Sequence, residues 1–466
     1  MARTTKTPII PEKQTFAKVD APHELDLKAI CVFSAIGFFL DDDTYWKDMK
    51  VLRPASHHTY DAQGKLIESL PWFKWHYSPR DISFEQALDE YSHLFETIMA
   101  EQAYQKTVIL ALSGGLDSRT QAAALKRCNA NVFSYSYEFE NGYEETKIAN
   151  EIADICEFEF KSFTIPKGYL WSSIDQLSKL NQCYSDFTAP RQMAIFNDFK
   201  EMGDDFNLGH WGDVFFDSMN LPKLSSEEEL NYLKKNILKK GGLKLASDLW
   251  NSWDLDGDFE SYFTSRLRAL LSQIDIVDTN AKLRAFKSLY WAPRWTSINL
   301  SIFSAQHSVS MPYYDDRMCQ FVCTVPERHL KDRQLQIAYL KARSPQLAKI
   351  TWQDKRPFNL YNFQRNKIPF NIPYKIANKL KRLVHEKMGK RYIQRNWELQ
   401  FTGEENERQL KKYILKNQLE TWIPKSLLES YYDAFTRINH LENAHAMNIL
   451  LVLSKFNERY LNDKTN

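Results

Sequence analysis

The chain has 466 residues, 43% of them hydrophobic, so it can bury a sizeable core and is expected to form about two to three domains. Its 61 basic and 59 acidic residues leave a formal net charge of +2. This balance excludes a whole-protein attraction to nucleic acid or acidic membranes, so any such preference must be local. We therefore predict no nucleic-acid partner.

The cysteines and the apolar runs predict the cellular location of the protein. Its six cysteines include no C-x-x-C pair, which argues against a zinc site and against a disulfide framework. The polar start, Met1 to Gln14, lacks the apolar segment of a signal peptide. The longest apolar run, Ala29 to Leu40, is shorter than the ~20 residues that a membrane helix needs. We expect a soluble cytoplasmic protein without a transmembrane segment.

The first 82 residues contain few helical signals and a turn-like stretch, Asp61 to Gly64, between β-prone segments. They predict a small β-rich lead-in domain. From Ser83 a capping box, Ser83 to Gln86, opens a run with apolar residues at helical spacing. A second domain is therefore expected to begin at residue 83.

The middle of the chain alternates between strand and helix patterns. A continuous apolar run, Thr107 to Leu112, predicts a buried strand, and residues 118–128 predict the helix that follows it. Further strands are predicted at 132–137, 158–165 and 206–208, and further helices at 144–156 and 169–181. This order predicts an α/β fold, a parallel sheet with helices on both faces, for a domain over 83–370.

Residues 371–466 predict a helical, locally basic carboxy-terminal extension. Its basic residues include Lys379, Lys381, Arg382, Lys387, Lys390 and Arg391. Such a segment could meet an acidic carrier, a nucleotide-linked sugar or a membrane surface, or it could be only a solvated helix face.

The strongest motif lies between the first buried strand and its helix. It consists of Ser113, Gly114, Gly115, Leu116, Asp117 and Ser118. Two glycines let successive N–H groups approach an anion, and the helix that follows adds its positive dipole end. A carboxylate beside phosphate is repulsive unless a cation lies between them, so Asp117 predicts a Mg²⁺ ligand. The alternative is a Gly-Gly turn in which Asp117 and Ser118 only cap the helix.

This loop resembles the pyrophosphate-binding loop of the asparagine synthetase family, whose synthetase domain has an adenine-nucleotide α-hydrolase-like fold. Later segments continue the resemblance: Gly209 to Asp213, Met311 to Asp315, and Trp352 to Phe358. The resemblance implies that ATP binds at residues 113–118, that Asp117 and Asp213 hold Mg²⁺, and that Lys355 contacts the ATP phosphates. Taken alone, Asp213 could be a solvated loop acid and Lys355 a surface lysine.

The chain also departs from the family pattern. Family glutaminases carry a cysteine nucleophile after the initiator methionine, whereas this chain begins Met1-Ala2-Arg3, and residues 1–82 resemble only the end of a degenerate glutaminase domain. Nitrogen would then come from solution, from a separate glutaminase, or from an amine on the substrate. His210 stands where relatives have glutamate or tyrosine and could accept the amine proton, or it could only pack. Three further changes argue against free aspartate as the substrate: Trp211, Ser308 and Ser310.

Together these observations predict an ATP-dependent carbon–nitrogen ligase that forms AMP and pyrophosphate. It would adenylate the carboxylate of a small molecule or peptide and transfer the acyl group to ammonia or an amine. One alternative is intramolecular amide closure, as in β-lactam synthetase and lasso-peptide cyclases. Another is a catalytically inactive relative that serves as a binding protein.

Overall fold

The amino-terminal part of the chain combines short antiparallel strands with one buried helix. The computed structural model describes residues 16–18, 24–62, 66–387, 392–416 and 419–461, so Met1 to Arg3 lie outside the described residues. Strand β1 (Phe16–Lys18) pairs with β2 (Met49–Val51), and β3 (Ser56–Tyr60) pairs with β4 (Leu66–Pro71). Helix α1 (Leu27–Ile36) is a helix that the sequence does not predict. Eight of its ten residues are buried, so it lacks the polar face that makes a helix recognisable.

The predicted parallel sheet is present and has five strands in the described chain. Its members are β5 (Thr107–Ala111), β6 (Asn131–Phe139), β7 (Glu159–Ile165), β8 (Asp205–Asn207) and β9 (Ser308–Ser310). Their spatial order is β7-β6-β5-β8-β9, and every pairing is parallel. Four of these strands are predicted from the sequence. The fifth, β9, is a three-residue edge strand that reads Ser-Val-Ser, too short and polar to give a strand signal.

Helices cover both faces of the sheet, as predicted. The first four after the lead-in are α2 (Phe84–Ala103), α3 (Leu116–Arg127), α4 (Thr146–Cys156) and α5 (Leu170–Leu180). The side chains of β5 alternate between two hydrophobic clusters: Val108 and Leu110 pack in one with residues of α2, α3 and α4, and Ile109 packs in the other with residues of α1 and α5. Successive residues of a strand point to opposite faces, so the sheet is buried on both sides.

The middle region of the chain, around β9 and up to residue 349, is mostly helical. Its helices are α6 (Gly212–Phe215), α7 (Ser226–Ile237), α8 (Gly242–Ser252), α9 (Phe259–Ser272), α10 (Thr279–Phe286), a π-helical segment (Lys287–Thr296), α11 (Ser297–Asn299), α12 (Ser301–Ser304), α13 (Asp316–Thr324), α14 (Glu327–Leu330), α15 (Gln334–Arg343) and α16 (Pro345–Lys349).

The carboxy-terminal part is helical, as predicted. It contains α17 (Ile372–Lys387), α18 (Asn396–Phe401), α19 (Glu404–Lys416), α20 (Lys425–Asp433) and α21 (His440–Phe456). Helix α21 packs into the same hydrophobic cluster as α1 and α5. Lys379 and Lys387 lie on α17, whereas Lys390 and Arg391 lie outside the described residues. The predicted divisions at 82/83 and 370/371 stay predictions. Across the described ranges, no helix combines the length and the apolar character that crossing a bilayer requires.

A half-buried histidine joins α21 to α1 and makes the fold sensitive to acid. The ring Nε2 of His445 lies 2.8 Å from the carbonyl oxygen of Ser34 and donates to it in the neutral ring. Burial lowers the pKa of His445 to about 4. An unfolded histidine has a pKa of about 6.5, so between these values the unfolded chain binds a proton that the folded chain does not. The free energy of unfolding therefore falls as pH decreases from about 6.5 towards 4.

Replacing His445 with glutamine is expected to remove this acid sensitivity, because the amide can still donate to Ser34 and does not titrate. Between about pH 7.5 and about pH 5, the wild type should lose about 2 kcal/mol more unfolding free energy than His445→Gln. Urea denaturation at the two pH values measures the difference. An equal loss in both proteins would show that His445 does not titrate between them.

Candidate active site

Three loops meet at the carboxyl edge of the sheet. They follow β5, β8 and β9, and the carboxyl ends of parallel strands share one edge. The hydroxyl of Tyr313, in the loop after β9, donates to the backbone oxygen of Asp117 at 3.1 Å. A Cβ atom built on Gly212, the first residue of α6 at the end of the loop after β8, would lie 2.6 Å from the carboxyl carbon of Asp117. The structure therefore brings together the three segments that the sequence predicts as parts of one site.

The loop between β5 and α3 is internally ordered by its serines. The backbone N–H of Ser113 donates to Oγ of Ser118 at 3.0 Å, and the two serine hydroxyls lie 3.1 Å apart. The N–H of Gly114 donates to Oε1 of Gln353 at 2.9 Å. A Cβ atom on Gly114 would come within 2.7 Å of that same oxygen, so this close approach requires glycine. Leu116 is buried in the core, so only its backbone could contact a ligand.

The fully buried Arg119 ties this loop to the segment before Lys355. Its Nη2 donates to the carbonyl oxygens of Gly114 at 2.9 Å and Thr351 at 2.7 Å. Its Nη1 donates to the carbonyl oxygens of Leu347 at 3.3 Å and Ile350 at 3.0 Å. One guanidinium thus holds four backbone oxygens. The sequence assigns no role to this arginine, and the structure makes it the anchor of the loop.

The Asp117 carboxylate lies at the start of α3, where it has two polar partners. Its Oδ1 accepts from the guanidinium of Arg333 and from the side-chain amide of Gln336, the latter at 2.9 Å. Burial raises the pKa of Asp117 to about 6; the Arg333 charge opposes this shift, and the Asp213 carboxylate adds to it. Ionising a carboxylate that is buried beside a second carboxylate costs free energy. Such arrangements are typical of functional sites.

Sequence reasoning missed Arg333 and Gln336, which lie 216 and 219 residues after Asp117. Both sit at the start of α15, where the backbone is unusual. Asp332 and Arg333 have φ values of 54° and 60°, in the left-handed region that non-glycine residues rarely adopt. Such conformations persist where the surrounding structure requires them, often at functional sites. Two consecutive residues of this kind place the Arg333 side chain on Asp117.

The loop after β8 carries two of the predicted residues. Asp213 is exposed on the first turn of α6. His210 is half-buried, and its Nδ1 is fully buried without a hydrogen-bond partner in the described part of the chain. Burial lowers the pKa of His210 to about 4, and the Asp213 carboxylate opposes this shift. His210 is therefore neutral at pH 7.

Trp211 occupies a glycine-like conformation in the same loop. Its φ is 74°, and its indole ring is buried with Nε1 3.5 Å from Oγ of Ser288. Glycine adopts this backbone conformation more readily than any other residue. Next to this loop lies Lys287, a half-buried lysine that sequence reasoning missed. Burial lowers the pKa of Lys287, and the Asp213 carboxylate opposes this shift.

Lys355 lies on a segment that docks directly on the loop. It ends a short 3₁₀ helix, Gln353–Lys355, whose first backbone N–H donates to the carbonyl oxygen of Gly114 at 3.0 Å. The Lys355 side chain is half-buried, and its Nζ lies 5.6 Å from the centroid of the Trp352 ring. Lys355 is thus held close to the loop by its own backbone.

The two serines of β9 lie at opposite ends of the strand. Ser308 pairs with Asp205 at the amino end of β8, and its hydroxyl donates to the Asp205 carboxylate at 2.5 Å. Ser310 pairs with Asn207 at the carboxyl end, where the site lies. Of these two departures from the family pattern, only Ser310 is therefore placed to alter the site.

Two acidic residues at the site suit a magnesium ion whose remaining ligands would be substrate phosphates and water. Within the described residues, no group of three or more histidine, cysteine, aspartate or glutamate side chains could hold a metal. Asp117 and Asp213 form a pair of hard oxygen donors close enough for one to raise the pKa of the other. Mg²⁺ usually binds one or two carboxylates together with phosphates and water, which matches such a pair.

A separate pocket of about 400 Å³ lies at the opposite edge of the sheet. It is lined by residues at the amino ends of β5, β6 and β7, including Glu157, Glu159 and Glu201. Three carboxylates would repel a nucleotide triphosphate. This pocket is therefore not part of the candidate site.

Replacing Gly212 with alanine is expected to disable the site without unfolding the chain. The added methyl group would overlap Oδ1 of Asp117 and come within 3.1 Å of the Tyr313 ring. Either the carboxylate or the loop must move, and small displacements of a catalytic group cost about 10²-fold in rate. ATP–pyrophosphate exchange measures the loss. Exchange within threefold of the wild type would show that the carboxylate position is not critical.

A family model described as asparagine synthase matches residues 90–396 of the chain. Among solved structures, an NMN synthetase from Francisella tularensis matches with 12% identity over 45% of this chain and 93% of its own, with a TM-score of 0.22. That score is too low to add to the assignment. No curated protein matches. The family match covers most of the chain and includes every site segment described above, and the chain therefore belongs to the asparagine synthase family of ATP-dependent amide-forming ligases.

Proposed function

We propose that the chain uses ATP to adenylate a substrate carboxylate, releases pyrophosphate, and transfers the acyl group to ammonia or an amine. The observation that carries this proposal is the convergence, at one edge of the sheet, of the Ser113–Ser118 loop, the Asp117 and Asp213 carboxylates and the Lys355 segment. Membership in the family supports ATP-dependent amide formation. Cleavage between the α- and β-phosphates is the step that the proposal adds.

The loop supports the binding and departure of pyrophosphate. The Gly114 N–H now donates to the neutral amide oxygen of Gln353, which a phosphate oxygen could replace as acceptor. The serine hydroxyls and the amino end of α3 add donors and a positive dipole at the same place. Lys355, held to Gly114 through its own segment, would contact the α-phosphate as negative charge develops there.

Asp117 and Asp213 would hold Mg²⁺ at the phosphates. When bound, the ion would neutralise phosphate charge and so favour attack by a carboxylate, which is itself an anion. Arg333 already places a positive charge on Oδ1 of Asp117, so it would have to share this oxygen with the ion or turn towards the phosphates. The proposal therefore requires the contact between Arg333 and Asp117 to adjust when ATP and the ion bind.

His210 supports the second step, in which an amine attacks the adenylate. Its buried Nδ1 has no partner in the described chain and could accept a proton. Burial lowers the pKa of His210 to about 4. An anionic adenylate beside the ring would raise it towards the working pH, where a general base is effective. A cytoplasmic location, with ammonia supplied from solution or by a separate glutaminase, completes the proposal.

One observation favours the inactive alternative. The ion pair between Arg333 and Asp117 neutralises the carboxylate that a metal would need. In an inactive relative this pair would be a permanent substitute for the ion. The variant Arg333→Gln distinguishes the two hypotheses. In an active ligase it is expected to reduce ATP–pyrophosphate exchange, whereas an inactive relative would show no exchange with or without the substitution.

ATP–pyrophosphate exchange against a panel of carboxylic acids and peptides tests the proposal. We expect exchange with at least one acid, and a fall of about 10²- to 10³-fold in Lys355→Met, the usual loss when one transition-state donor is removed. Lys349→Met is the matched control, because Lys349 is an exposed lysine in the same region. Absence of both exchange and ATP binding would contradict the proposal. Product formation with ammonia, with glutamine, and with neither distinguishes an external nitrogen source from a substrate-borne amine and from intramolecular closure.

A further inference from the structure

Helix α17 presents its apolar side to solvent. Large apolar side chains recur along it at helical spacing, and we call them the apolar stripe: Ile372, Ile376, Leu380, Leu383 and Val384. All five are exposed, with 54% of Ile376, 58% of Leu380 and 55% of Val384 accessible. At 3.6 residues per turn they span an arc of about 120°, the width that normally faces a protein core.

The side of the helix opposite the apolar stripe is less exposed. Tyr374 and Asn378, one turn apart and on the side opposite the apolar stripe, are the partly buried side chains among those described on α17. The exposed apolar surface continues into the preceding segment, where 72% of Ile368 and 56% of Phe370 are accessible. Contiguous exposed apolar surface of this kind marks an interaction site.

The charge of the helix indicates what the stripe contacts. Five of its sixteen residues are lysine or arginine and one is glutamate, whereas the whole chain has a net charge of only +2. Lys375 and Lys379 are exposed along one border of the stripe, and Lys387 is exposed at its end. The apolar surface is therefore bordered by cations on one side and at one end, which an anionic partner would complement.

We infer that the apolar stripe of α17 docks the chain on an anionic lipid surface. Interfacial helices of this type insert an apolar face at the boundary of the headgroups and keep lysines among the lipid phosphates. A second copy of the chain fits less well, because two stripes bordered by lysines would repel each other. Residues 1–15, which lie outside the described ones, also carry more basic than acidic residues and offer no opposite charge.

This inference does not depend on the proposed function, because binding to lipid needs neither ATP nor a substrate. It assigns the chain a peripheral association with a membrane, made by α17, which follows the Lys355 region in the sequence. The contact is reversible and salt-sensitive, since a single interfacial helix anchors more weakly than a spanning one.

Co-sedimentation of the full chain with vesicles tests the inference. We expect binding to vesicles of phosphatidylcholine mixed with phosphatidylglycerol to be about tenfold or more tighter than binding to phosphatidylcholine alone, and to weaken in high salt. The double variant Ile376→Gln, Leu380→Gln should lose about tenfold or more of the binding. The double variant Lys375→Gln, Lys379→Gln should lose a similar factor on anionic vesicles only.

Two exposed apolar residues outside α17 provide the matched control. Val277 and Ile438 are 79% and 81% accessible, so the double variant Val277→Gln, Ile438→Gln removes similar exposed apolar groups and should bind vesicles as the wild type does. Thermal unfolding followed by circular dichroism checks that each variant is folded. Equal binding to neutral and anionic vesicles, unchanged binding of the stripe variant, or no vesicle binding with stripe-dependent dimers in light scattering would each overturn the inference.

Discussion

Replacing Asp117 with asparagine is expected to abolish ATP–pyrophosphate exchange, by about 10³-fold or more, while leaving the chain folded. The substitution keeps the size of the side chain and an oxygen that can accept from Gln336, but it removes the negative charge. A neutral amide cannot help to hold a divalent cation against phosphate, so transition-state stabilisation at the phosphates is lost. Exchange measured at saturating ATP and magnesium gives the size of the effect.

The control for this variant is Asp316→Asn. Asp316 lies in the first turn of α13, as Asp117 lies in the first turn of α3, but Asp316 is exposed. Both substitutions remove a favourable interaction with a helix dipole, worth about 0.3–1 kcal/mol. If Asp117 only caps its helix, the two variants should behave alike, with small losses of stability and unchanged exchange. Retention of more than a tenth of wild-type exchange in Asp117→Asn would contradict the assigned role.

Stability provides a second, independent measure of the Asp117 variant. In the folded chain the pKa of Asp117 is about 6, against about 3.9 in an unfolded chain, so ionising it at pH 7.5 costs about 3 kcal/mol. This cost is absent below about pH 3.9, grows as pH rises between about 3.9 and 6, and is constant above 6. The asparagine variant avoids it but leaves the Arg333 guanidinium without its partner. Relative to the wild type, the variant should therefore gain about 1 kcal/mol of unfolding free energy between about pH 5 and about pH 7.5.

The local part of the site is predictable because its signals are contiguous in the sequence. An apolar strand, a glycine pair and a helix follow one another between residues 107 and 127, and the structure places each boundary within two residues of the predicted one. The approach of the Gly209–Asp213 loop and of the Lys355 segment to this loop follows from resemblance to a family. The roles assigned to His210, Asp213 and Lys355 stay predictions.

The remaining contacts could not be predicted, because they join residues far apart in the sequence through ordinary side chains. Arg333 and Gln353 look like surface residues in a polar stretch, yet one binds the Asp117 carboxylate and the other the Gly114 amide. The buried helix α1 and the edge strand β9 were not predicted, for related reasons. Helix α1 has no polar face, and β9 has no apolar run. In each case tertiary contacts, not local preference, determine the structure.

Arg119→Met is expected to have the largest effect on stability of any single substitution considered. It would take the guanidinium donor from the carbonyl oxygens of Ile350 and Thr351. The oxygens of Gly114 and Leu347 would lose one donor but would still accept from the backbone N–H groups of Gln353 and Ile350. Each unsatisfied buried group costs about 1–3 kcal/mol, so the loss from these two oxygens is expected to be about 2–6 kcal/mol, a large part of the stability of a typical domain. Arg127→Met is the matched control: Arg127 lies on the same helix, is 41% exposed and pairs with Glu96, so its loss should cost less than about 1 kcal/mol.

Because the methionine variant can be too unstable to assay, Arg119→Lys provides the functional test. A lysine ammonium keeps the charge but lacks the fork that lets one nitrogen of Arg119 reach both Gly114 and Thr351. The loop and the Lys355 segment would then be less firmly joined, and Lys355 would lie less well placed over the α-phosphate. We expect Arg119→Lys to remain folded at low temperature, with exchange reduced about 10²-fold, as small displacements of catalytic groups produce. A folded Arg119→Lys variant with wild-type exchange would show that the buried arginine supports the fold without positioning the site.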